Sequence, residues 1–85
     1  MSNKHRRILK QFPEKSHTIS RLIEEDSEFL AMCEDYGACV EALQHWEQST
    51  EPEAKTRVNE YRTLVRDLEE EIVQALAGLE PERLA

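Results

Sequence analysis

The sequence predicts an all-α fold: a coiled-coil-like antiparallel helical hairpin preceded by a short helix. Three observations carry that prediction. Phe29, Met32, Tyr36, Cys39, Leu43 and Trp46 form an apolar stripe stepping by three and four residues. Val58, Tyr61, Val65, Leu68, Ile72 and Leu76 form a second. Between them lies the short polar break Gln48-Ser49-Thr50-Glu51-Pro52-Glu53. Two long helices joined by so short a break bury their stripes by folding back on each other or by meeting another chain.

Composition agrees. Of 85 residues, 39% are hydrophobic and 34% charged, with two Gly and three Pro. That profile suits a charged helical protein, and runs of alternating β-branched residues are absent. A chain this short buries only about 60–65% of the surface exposed when unfolded, which leaves no room for a deep pocket beside a stable core.

The elements follow in order. Residues 1–12 are expected to form a basic, largely flexible arm, with Ile8, Leu9 and Phe12 able to dock on the body. Residues 13–78 form the hairpin domain. Pro13 fits a first helical turn, and a short helix should follow over about 14–25, with Ile19, Leu22 and Ile23 on one face. Asp26 looks like the N-cap of the next helix, predicted over 27–47. Gly37 in its middle is either a close-approach point or a tolerated exposed glycine.

Thr50-Glu51-Pro52-Glu53 reads as a capping box opening the third helix, predicted over 51–77. Glu51 with Lys55, and Glu53 with Arg57, have the favourable i,i+4 orientation. Gly78 is placed for a left-handed C-cap, and residues 79–85 should fray. Cys33, Val40, Leu64 and Leu76 widen the stripe beyond what two helices cover. Either the short helix lies across the hairpin, or two hairpins pair into a four-helix bundle.

Net charge is −7. Residues 1–10 hold Lys4, Arg6, Arg7 and Lys10 and no acid, so the remaining chain carries −11. So acidic a body repels phosphates and anionic lipid heads, and nucleic acid is not an expected partner of it. Only the arm can attract them, and its four cations have no interleaved aromatics.

Chemistry-bearing clusters are not expected. Cys33 and Cys39 lie about 120° apart around a helix, form no C-x-x-C, and read as small buried hydrophobes. His5, His17 and His45 are scattered, without metal-ligand spacing. No phosphate-cradling glycine loop and no Cys–His nucleophile pair can be assembled. Glu69, Glu70 and Glu71 fan over about 200° of helix and read as a solvated face. The expectation is therefore a chain with no enzyme activity, no metal and no cofactor. No apolar segment follows the basic start as in a signal peptide, and no run is long enough to cross a membrane. A cytoplasmic setting suits the two cysteines.

Phe12-Pro13-Glu14, Ile19-Ser20-Arg21-Leu22 and Phe29-Leu30 resemble the opening of the YdcH-like family of small bacterial proteins, a domain of unknown function. Leu68-Glu69-Glu70-Glu71-Ile72-Val73-Gln74-Ala75-Leu76 is similar to that family's closing helix. The resemblance spans about residues 12–77. It implies a helical hairpin, no known enzyme activity and no catalytic residues to carry over. Two departures stand out: acids where the family's closing helix is Lys-rich, and Gly37-Ala38-Cys39 where a polar residue is common. A partner recognised through a basic helix does not transfer.

The functional expectation is a noncatalytic protein-interaction or self-association module, with a homodimer as one form. The alternative is a surface binder of nucleic acid or anionic membrane through the arm. Candidate interaction residues are Trp46, beside the turn, and Lys4, Arg6, Arg7 and Lys10 in the arm. Trp46 has a second reading, closure of the hairpin core.

Overall fold

The computed structural model describes residues 5–78, which form four α-helices and no strand. Helix α1 spans Arg6–Gln11. A 3-10 turn at Pro13–Lys15 leads into α2, Ser16–Glu25. Helix α3 spans Ser27–Glu47 and α4 spans Ala54–Ala77. The α3–α4 pair makes the largest interface, and α1 and α2 both pack on α3. The described chain measures 52 × 30 × 21 Å, an elongated hairpin with a thickened end.

Local chemistry explains most boundaries. Asp26 is the N-cap of α3, as its position predicts. Its Oδ1 accepts the backbone N–H groups of Glu28 at 2.9 Å and Phe29 at 3.2 Å. Its extended backbone makes a one-residue break between α2 and α3. The reversal falls at 48–53, as the stripes require.

The capping box does not form. Helix α4 begins at Ala54, and Glu53 at its N-cap makes no side-chain cap bond. Ser49 Oγ instead accepts the Glu51 N–H at 3.1 Å, so residues 51–53 close a turn ahead of the helix. Pro52 thus serves the turn and not a first helical turn. The Arg57 side chain pairs forward with Glu60 at 3.0 Å, although its N–H donates to the Glu53 carbonyl at 3.0 Å. Gly78 is right-handed (φ −68°), and its N–H bonds to the Gln74 carbonyl at 3.1 Å. It extends the helical pattern and needs no left-handed conformation.

The arm docks through Ile8, Leu9 and Phe12, as those residues allow, but does so as a helix. From Arg6 onward it is helical, and Ile8 is fully buried. Leu9 and Phe12 pack against the same core. Six residues are too few for a helix to persist alone, so burial of this apolar edge holds α1. Residues 1–4, and the tail expected to fray at 79–85, lie outside the described residues.

The core sits at one end. Ile8, Ile19, Phe29, Cys33, Tyr36, Ile72 and Leu76 form one buried cluster where α1 and α2 cover the open side of the hairpin. Gly37 is buried among the α3 residues there. Away from that end the stripes are only half covered. Val40, Leu43, Trp46, Val58, Tyr61, Val65 and Leu68 are all partly exposed. Three stripe assignments shift. Cys33, expected at the edge, is fully buried, and Cys39 is half-buried. Leu64 faces outward, 45% exposed. The direction from which α1 and α2 pack sets these positions, and a seven-residue pattern does not encode it.

Candidate functional site

The proximal half of the hairpin, next to the turn, carries the apolar surface. From Ala38 to Glu53, and from Lys55 to Glu71, no side chain is fully buried. Toward the turn α3 and α4 pack chiefly on each other; α1 reaches α3 as far as Gln44, through Arg7, and lies beside Arg66 and Glu69 of α4. Trp46 stands there as the last large apolar residue of α3. With Ala54, Val58, Asn59 and Arg62 it lines an open groove beside the turn. The His45 ring meets the indole edge-on, with centroids 5.2 Å apart and planes at 80°. Arg62 approaches Glu47 at 3.7 Å across the hairpin, with both side chains largely in water. Trp46 therefore partly closes the hairpin and partly faces solvent.

Two further exposed apolar spots flank α4. Leu64 sits with Asn59, Glu60 and Thr63 on one side. Val73 sits with Gln11, Phe12, Arg66 and Glu69 on the other, at the seam with α1. Nine residues apart, the two lie on opposite sides of the helix, about 180° around its axis.

The arm cations separate. Arg7 is partly buried, and its Nη2 donates to Gln44 Oε1 on α3 at 3.3 Å. Arg6 and Lys10 are exposed. Lys4 lies outside the described residues. The structure does not bring Trp46 and the arm into one described site: the arm helix belongs to the core end and Trp46 to the turn.

Among the described residues, Tyr36, Cys33 and Cys39, at or near the core end, have raised pKa values. The Tyr36 hydroxyl donates to Glu69 Oε2 at 2.7 Å, so Glu69 is not the purely solvated acid its run suggests. Burial raises the Tyr36 pKa first, the hydrogen bond and charge of Glu69 raise it further, and Arg7 opposes them. Burial, aided by Glu34, pushes the Cys33 thiol up to about 12. Burial and Asp35 raise Cys39. Both thiols are thus held protonated, the opposite of an activated nucleophile. Among the described residues no three His, Cys, Asp or Glu side chains converge as a metal site. Nor is any described helix long and apolar enough to cross a membrane.

Compared with protein-family models, curated proteins and solved structures, the chain shows no match. The likeness to YdcH-like proteins therefore rests on the quoted residues alone.

Proposed function

We propose that this chain is a noncatalytic interaction module that works by self-association or by docking a protein helix, through the turn-proximal half of its hairpin. One observation carries the reading. The part of the hairpin next to the turn keeps Trp46, Val58 and Tyr61 half exposed and Leu64 more so. Burying such a stripe against another helix is favourable at roughly 25 cal/mol per Å² of apolar area. The reading keeps the chain in the cytoplasm, in accord with two unpaired thiols.

Light scattering of the intact chain across a dilution series tests it. Mass rising with concentration is the expected result. A chain that stays monomeric up to millimolar concentration rules out self-association.

A second reading, binding of nucleic acid or anionic membrane, draws on Arg6 and Lys10. Four residues apart, they share one exposed face of α1. Binding that weakens steeply with salt and disappears in an R6E/K10E variant would favour it.

A further inference from the structure

Helix α4 is electrically two-sided along its length. Its first part, residues 54–66, holds Lys55, Arg57, Arg62 and Arg66 against one acid, Glu60. Its second part, residues 67–77, holds Asp67, Glu69, Glu70 and Glu71 and no cation. Leu64, the exposed apolar side chain of the proximal half, lies near the junction.

The spacing around Leu64 is symmetric. Arg57 stands seven residues before it and Glu71 seven after. Seven residues are two helical turns, so all three lie within about 20° of one line, with each charge about 10.5 Å from the leucine. Tyr61 and Asp67 stand three residues to either side. All five side chains have at least part of their surface in water, and Tyr61 is the one that is only partly exposed.

We infer that a second copy of this chain covers this face, α4 against α4 and antiparallel, with the two-fold axis at Leu64. The inference rests on the self-association reading above and names its geometry. Leu64 then meets Leu64 of the second copy. Arg57 faces Glu71 of the second copy, and by symmetry the pair occurs twice. Tyr61, about 60° around the helix from Leu64, flanks the leucine contact on the side that also carries Leu68 of the second copy. A parallel pairing would set Arg57 against Arg57 and Glu71 against Glu71, so charge selects the antiparallel one. Arg57 already leans on Glu60 at 3.0 Å, and in the pair its guanidinium bridges two carboxylates. Exposed ion pairs contribute little by themselves, so Leu64, with the edges of Tyr61 and Leu68, supplies the affinity and the charges supply the orientation.

Sedimentation equilibrium of the intact chain and its charge variants tests the geometry. R57E and E71R should each weaken the dimer about tenfold, and the double variant R57E/E71R should recover it. A dimer indifferent to R57E and E71R overturns the axis while leaving self-association standing. A parent chain that never exceeds monomer mass overturns both. A second readout avoids dependence on charge. In a Cys39→Ser background, Leu64→Cys should form a disulfide-linked dimer under mild oxidation, because a residue on a two-fold axis meets itself. Val73→Cys, equally exposed on the opposite side of α4, should not. Cross-linking of Val73→Cys at the rate of Leu64→Cys overturns the proposal.

Discussion

The Tyr36 hydroxyl donates to a Glu69 carboxylate oxygen 2.7 Å away, a side-chain hydrogen bond that ties α3 to α4 near the core end. Tyr36 itself is buried, while Glu69 keeps part of its surface in water. The folded chain therefore favours protonated tyrosine more than the unfolded chain does. That preference contributes stability below the ordinary tyrosine pKa, near 10, and loses it as pH rises through the higher folded value. Cys33 acts in the same sense between its ordinary 9.0 and about 12. Thermal melts should show stability declining steadily above about pH 9. Tyr36→Phe should cost about 1 kcal/mol at neutral pH and make the alkaline decline shallower.

The two thiols should differ in reactivity. Cys33 has no exposed surface and Cys39 retains some. A thiol reagent added to native protein should label Cys39 first, with Cys33 following only as the core opens. Mass spectrometry of partially labelled protein reads the order, and early label on Cys33 would contradict the packing.

Position along α4 should set the cost of truncation. Ile72 is fully buried in the core cluster with Ile8, Ile19 and Phe29, and Ile72→Ala should cost about 2–5 kcal/mol. Leu68 is partly exposed, so Leu68→Ala should cost clearly less in the same denaturant titration. Ile8→Ala should resemble Ile72→Ala, although residue 8 belongs to a stretch that looks like a loose basic arm.

The caps offer another contrast. Asp26→Ala removes the acceptor for two amide N–H groups and should lower stability by about 1 kcal/mol. Thr50 is exposed and makes no cap bond to α4, so Thr50→Ala should change it by less than about 0.5 kcal/mol. Equal losses would restore the capping box.

What the chain discloses by its order of residues is what local periodicity controls. The hairpin, its reversal at 48–53 and the Asp26 cap follow from apolar spacing and from one side chain reaching its own helix. Trp46 beside the turn was equally legible. The rest depends on contacts between distant segments. Ile8, Leu9 and Phe12 form a helix because α2 and α3 receive them, and no local signal in a six-residue element says so. Cys33 is buried and Leu64 exposed because α1 and α2 add packing on one side. The capping box failed because Ser49, one residue earlier, accepts the Glu51 amide. Glu69 looked like one of three solvated acids until the opposing helix brought a phenol to it.

Concentrating the large, fully buried side chains at the end away from the turn divides the hairpin into unequal cooperative parts. Backbone amides around residues 45–62 lie where α3 and α4 pack on each other, and those around 29–37 and 72–76 lie in the shared core, so hydrogen exchange should run fastest at the turn and slow toward the closed end. The molecule would then open like a clothes peg. The same section that lacks internal cover is the one able to readjust as something settles against it, without disturbing the clamp that keeps the chain folded.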